Sequence, residues 1–107
     1  MTNSREKGKR GELEFAHFLT DNGYPARRGQ QFKGTDDSPD VICEELGDMN
    51  IEVKRREKFS INDIYAAMVK ASEQDPDRMP MVAYRSNGQP WMICMSGEDF
   101  LAAMKGL

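Results

Sequence analysis

Two short stretches constrain this chain most: Ser38-Pro39-Asp40-Val41-Ile42 and Asn50-Ile51-Glu52-Val53-Lys54. Val41, Ile42 and Cys43 predict a short apolar strand, Glu44 to Met49 with its Gly47-Asp48 a turn, and Ile51 to Lys54 the returning strand of a hairpin. Side chains alternate along a strand, so Glu52 and Lys54 share one face while Ile51 and Val53 share the other. Asp40, at the start of the partner strand, can then lie opposite Glu52 and Lys54. Two converging carboxylates make an oxygen-rich pocket suited to a hard divalent cation such as Mg2+. With a lysine beside them, the set suits phosphodiester hydrolysis. The metal polarises the phosphate and acidifies a bound water, and the ammonium stabilises the pentacovalent charge or places the attacking water. The same hairpin also accommodates a plainer reading, with Pro39-Asp40 as a turn and Glu52, Lys54, Arg55 and Arg56 as a solvated charged edge.

A third carboxylate weighs on that choice. Residues 9–22 predict a helix ending at Asn22-Gly23, with apolar Leu13, Phe15, Ala16, Phe18 and Leu19. At about 100° per residue, Glu12 falls within the apolar stripe of Phe15, Ala16 and Leu19, whereas Glu14 and Asp21 lie on the opposite face. Glu12 is therefore aimed inward. A buried carboxylate needs a cation or a hydrogen-bond donor; otherwise Glu12 is a half-solvated first-turn residue favoured by the helix dipole.

Taken in order, Lys7-Gly8-x-x-x-Glu12, the helix, Gly23-Tyr24, the basic pair Arg27-Arg28, Pro39-Asp40-Val41-Ile42 and Ile51-Glu52-Val53-Lys54 resemble the PD-(D/E)xK nuclease superfamily. The order and spacing are most similar to small Holliday junction resolvases of the archaeal type and their virus-borne relatives, over roughly the first 60 residues. The resemblance implies an α/β fold with a restriction-endonuclease-like core, a mixed central sheet flanked by helices. It implies that Asp40 and Glu52 bind Mg2+, for which Mn2+ can substitute, that Val53 contributes its backbone carbonyl, and that Lys54 is the catalytic lysine. Glu12 matches the helix glutamate that completes the site, as a catalytic residue and an optional further metal ligand. In such a fold the basic groups at the helix start, on the Arg27-Arg28 strand and at the strand end after Lys54 surround the pocket, so Lys7, Arg10, Arg27, Arg28, Lys33, Arg55 and Arg56 are the candidate DNA contacts, with Thr35 from the loop before Asp40. Such resolvases usually carry Gly-Ser in the loop before the Asp strand. This chain has Gly34-Thr35 within residues 30–38, so Thr35 or Ser38 is left to supply the hydroxyl. No clear Gln follows the Lys strand, which argues against the branch of the superfamily that has one on the next helix.

The charge balance is the strongest objection to a nucleic-acid partner: net charge is −3, whereas DNA-binding domains are commonly basic. Distribution softens it. All but four of the 15 Lys and Arg (Lys70, Arg78, Arg85 and Lys105) lie in residues 1–58, around the proposed pocket. Contact with phosphates is the functional reading of that clustering and a solvated surface the plain one. The 107 residues predict one nuclease domain, small enough to gain from burying surface in a homodimer. With no secretory or long apolar segment, a soluble, intracellular (cytoplasmic) protein with no membrane partner is expected, and a virus or prophage origin fits the virus-borne relatives. Cys43 and Cys94, without further ligands at metal spacing, read as reduced core residues, and His17 as a surface residue.

Further along, Ser60 with Asp63 predicts a capping box for a helix carrying Ile61, Ile64, Tyr65 and Met68 and stopped at Asp75-Pro76. Core packing is the expected duty of those four, with dimer contact next. Residues 79–85 and 90–95 predict two strands about Ser86-Asn87-Gly88-Gln89, and Ser96 with Asp99 caps a last helix bearing Phe100, Leu101 and Met104. The eight Met fit either an adaptable interface or core filling. The expected function is a metal-dependent DNA endonuclease, acting on branched DNA as a homodimer. A restriction- or repair-type nuclease with another DNA substrate is the alternative among enzymes. A noncatalytic DNA-binding or assembly protein is the alternative of another class.

Overall fold

The computed structural model describes residues 4–29 and 39–106, with side chains from Gly8 onward. Lys33, Thr35 and the rest of the loop 30–38 lie outside the described residues, as does the side chain of Lys7. The elements run α1 (Ser4–Asp21), β1 (Arg27–Arg28), β2 (Val41–Ile42), a 3-10 turn at Glu44–Leu46, β3 (Met49–Arg55), α2 (Ile61–Gln74), β4 (Met79–Arg85), β5 (Met92–Cys94) and α3 (Gly97–Lys105). The strands form one sheet in the order β1-β2-β3-β4-β5. β3 and β4 are parallel, joined through α2, and every other pairing is antiparallel, so the sheet is mixed. No helix among the described residues is long and apolar enough to cross a membrane.

Strand parity assigns the two faces. Ile51 and Val53 of β3 join Met81 and Ala83 of β4 under α1, packing with Phe15, Ala16, Leu19, Val41 and Cys43. The opposite face carries Val82 against Ile64 and Ala67 of α2, and there Asn50 donates from Nδ2 to the Ala71 carbonyl at 3.0 Å. Phe15, Val41 and Ile51 are fully buried, which stabilises the α1 interface by about 1.5–3 kcal/mol for each such side chain. The helix ends are chemically defined. Gly23, at φ +91°, turns the chain so that the Tyr24 N–H reaches back to the Leu19 carbonyl at 2.8 Å. Ser60 and Asp63 form the expected capping box, and Ser96 Oγ accepts from the Asp99 N–H.

Several elements depart from the sequence expectation. β2 ends at Ile42 because the Cys43 carbonyl accepts from the Leu46 N–H and starts the 3-10 turn. β5 is shorter than 90–95: Pro90 has no N–H for a ladder, and Trp91 instead packs its ring 4.9 Å from that of Phe15. Ile61 and Tyr65, expected in the core, are each 59% exposed. α2 approaches the sheet through the narrow stripe Ile64, Ala67 and Ala71, whose small side chains bring the helix close and leave its flank outside. α3 buries none of its residues. Cys43 is buried, Cys94 is half-buried, and both thiols are free.

Glu14 also differs. Expected to face outward, it is half-buried and accepts from Arg55 Nε at 3.3 Å and from Arg85 Nη1, which ties α1 to the ends of β3 and β4. Gly11 makes that approach possible, since a Cβ there would fall 2.7 Å from Arg55 Cβ. Gly8, a turn earlier, has open space around it. Gly11→Val should therefore destabilise the fold by about 1–3 kcal/mol, the scale of an overpacked contact. Gly8→Ala should be neutral or stabilising by up to about 1 kcal/mol through helix propensity. Urea unfolding of the two variants checks this, and equal effects would show that α1 does not rest on Arg55.

Candidate active site

Asp40 occupies the point where β2 and β3 part. Its N–H donates to the Ile51 carbonyl at 3.0 Å, and its carbonyl accepts from the Gly29 N–H at 2.9 Å, so the backbone is held from both sides. Gly29 is required there: a Cβ would sit 2.0 Å from the Pro39 carbonyl oxygen. Beyond the Val41–Ile51 pair β2 has no further register partner on β3, and the Val53 N–H donates instead to Asp40 Oδ2 at 2.9 Å. In a strand the N–H and C=O of one residue point to the same edge, so the Val53 carbonyl is directed to the Asp40 side as well.

Three carboxylates meet around this point. Glu12 comes from α1, Asp40 from the start of β2 and Glu52 from β3, and they are only 9%, 8% and 2% exposed. Asp40 is within side-chain hydrogen-bond reach of both glutamates. Glu52 belongs to the α2 face by parity and Glu12 to the α1 side, so Asp40 links two pairs. Among the described residues, no three His, Cys, Asp or Glu groups cluster as a ready-made metal cage. Burial first, and then the charge and hydrogen bonding of Asp40, push the Glu52 carboxyl up to about 8, against the lowering influence of Lys70 and Lys54. Burial also raises Glu12. Its hydrogen bond from Arg28 opposes the rise and the Asp40 charge adds to it.

Two buried carboxylates facing each other hold a proton or attract a cation. Asp40 and Glu52, with the Val53 carbonyl on the same edge, fit a hard divalent ion that takes one or two carboxylates and keeps its waters. Lys54 follows Glu52 on the same face and is half-buried.

The basic residues divide by what they touch. Arg28 donates from Nε to Glu12 Oε2 at 2.5 Å, the donor that an inward Glu12 requires, and Arg55 is engaged by Glu14. Arg56 lies 3.5 Å from Asp63 at the surface, and Arg10 and Arg27 are exposed. Two contributors were missed by sequence reasoning, Gly29 beside Asp40 and Lys70 beside Glu52. Neither carried a local signal, because the contacts that define them come from residues distant in sequence.

Neither a comparison with protein families nor one with characterised proteins yields a match. Among solved structures, the chain is similar to Hjc of Archaeoglobus fulgidus, a Holliday junction resolvase from an archaeal hyperthermophile. The TM-score is 0.58 at 20% identity, over 82% of this chain and 76% of that one. The likeness establishes the fold: α/β, with a restriction-endonuclease-like core whose mixed central sheet is flanked by helices.

The Glu52 environment makes stability pH-dependent. The folded chain keeps this carboxyl protonated up to about 8, while the unfolded chain ionises it above its ordinary value of 4.5. The folded state therefore binds more protons between those values, and the stabilisation present below pH 4.5 is lost as pH rises through about 8. Thermal unfolding in chelator should show the midpoint falling across this window, with a smaller fall for Glu52→Gln. An identical slope in both proteins would refute the raised carboxyl.

Proposed function

We propose that the chain is a metal-dependent DNA endonuclease acting on branched DNA. The observation that carries the reading is Asp40, held by backbone on both sides and facing Glu52 and Glu12, with Lys54 next along β3. A scaffold or binding module gains nothing from burying three carboxylates around one point, since each is expensive to desolvate. The fold likeness to a Holliday junction resolvase supports the same substrate class.

In this reading Asp40, Glu52 and the Val53 carbonyl hold Mg2+, with Mn2+ able to substitute. The bound ion would supply Lewis-acid polarisation of the phosphate and a water of lowered pKa. The ammonium of Lys54 stabilises negative charge developing on the phosphoryl oxygens. Glu12 orients Arg28, whose remaining guanidinium donors are available to a phosphate oxygen. Arg10, Arg27 and Arg56 are the exposed cations for the flanking backbone, joined by Lys7, Lys33 and Thr35. The net negative charge is no obstacle, because three of the acids belong to the pocket, where the ion would offset Asp40 and Glu52 while Glu12 is paired with Arg28.

Paired incision across a junction requires two pockets related by a twofold axis, so the reading includes a homodimer. The apolar side chains exposed on α3 and β5, Phe100, Leu101, Met104, Met92 and Ile93, support one. An antiparallel pairing of α3 with its copy would set Glu98 and Asp99 of the first turn against Lys105 of the last.

Cleavage of labelled four-way junction and linear duplex tests the activity. Asp40→Asn or Glu52→Gln should abolish cutting in Mg2+ while retaining the fold, and Lys54→Ala should slow it on the order of 100-fold. Wild-type rates in any of the three, or equal cutting of junction and duplex at moderate salt, would refute the corresponding assignment.

Sedimentation tests the dimer separately. Leu101→Asp should convert dimer to monomer with α/β circular dichroism unchanged, and a wild-type chain that sediments as a monomer while cutting fully would remove the twofold arrangement.

A further inference from the structure

On the α2 side of the sheet, next to Glu52, a cleft of about 170 Å3 opens between β3 and α2. Its walls are Lys54 from β3, Arg56 just beyond it, and Asp63, Ala66, Ala67 and Lys70 from α2. The packing of α2 explains the grouping. With Ile64, Ala67 and Ala71 turned onto the sheet, residues 63, 66 and 70 fall on the flank of the helix beside β3, at helical spacing. Lys54 arrives from below by the parity it shares with Glu52.

Cations outnumber the one carboxylate in this cleft. Asp63 lies 3.5 Å from Arg56 and also accepts from the Ser60 N–H in the capping box, so its charge is shared. Neither Lys54 nor Lys70 makes an ion pair among the described residues. The helix side of the floor is formed by the methyl groups of Ala66 and Ala67, which leave room for a compact anion. Lys70 also stands close enough to Glu52 that its charge acts on that carboxyl more strongly than the charge of Lys54.

Given the DNA-cleaving role proposed above, we infer that this cleft is a second phosphate subsite: it seats the backbone phosphate beside the scissile one, with Lys70 as its main positioning residue. Lys54 forms the boundary between the two subsites. Lys70 touches the neighbouring phosphate and not the reacting atoms, so it sets where the strand lies relative to Asp40 and Glu52.

The test is binding of a labelled four-way junction and a linear duplex, measured against salt in Ca2+, together with single-turnover cleavage in Mg2+. For Lys70→Ala the slope of log affinity against log salt should shrink by about one, the release of one phosphate contact. Affinity should fall roughly five- to tenfold near 0.1 M salt for both DNAs alike. Lys70→Arg should restore both. Ala66→Leu, which fills the cleft at an exposed position and removes no charge, should reproduce the loss of affinity. The cleavage rate at saturating protein should fall less for Lys70→Ala than for Lys54→Ala. An unchanged affinity and salt slope in Lys70→Ala, with the wild-type chain binding and cutting, would overturn the subsite and leave the nuclease reading standing. A wild-type chain that neither binds nor cuts any of these DNAs would overturn that reading, and the subsite with it.

Discussion

The hydrogen bond from the Val53 N–H to the Asp40 carboxylate is the contact on which the site depends. It replaces a missing ladder bond at the place where β2 and β3 separate, and so turns a sheet defect into a fixed point. Around it, the Gly29 and Ile51 backbones hold Asp40 in place. Glu52 and Glu12 are then set by strand parity and by helix phase. Burying this much acid is unfavourable in isolation. It is tolerated because the same strands bury Phe15, Val41, Ile51 and Val82 beside it, and because protons, Arg28 or a cation can share the charge.

A second constraint is the closeness of α1 to β3. Gly11 lets the helix rest on Arg55, and Glu14 clamps Arg55 and Arg85 from the flank. That clamp fixes the rotation of α1, and rotation decides which face Glu12 presents. The two glutamates, a half-turn apart in role, thus work together: Glu14 orients the helix and Glu12 enters the pocket. The arginines divide in the same way. Arg28 and Arg55 are engaged by carboxylates of α1, which leaves Arg27 on the surface and Lys54 and Lys70 around the cleft beside Glu52.

Local patterns in the chain determined a good part of this. The alternation in Ile51-Glu52-Val53-Lys54 set the faces of β3, the phase of Glu12 against Phe15, Ala16 and Leu19 set it inward, and the caps at Gly23, Ser60 and Ser96 set the helix ends. Each rests on contacts within about one helical turn or one strand repeat. Tertiary structure alone decided the rest. Glu14 could not be matched to Arg85, nor Gly29 to Pro39, nor Lys70 to Glu52, without the sheet order and the register of β3 on β4. Ile61 and Tyr65 have helical spacing like that of Ile64, yet remain outside because two alanines bring α2 down on a narrow stripe. Periodicity reports that a face is apolar; which part of that face is covered depends on how closely the neighbouring layer approaches, and that distance is set by residues far away in sequence.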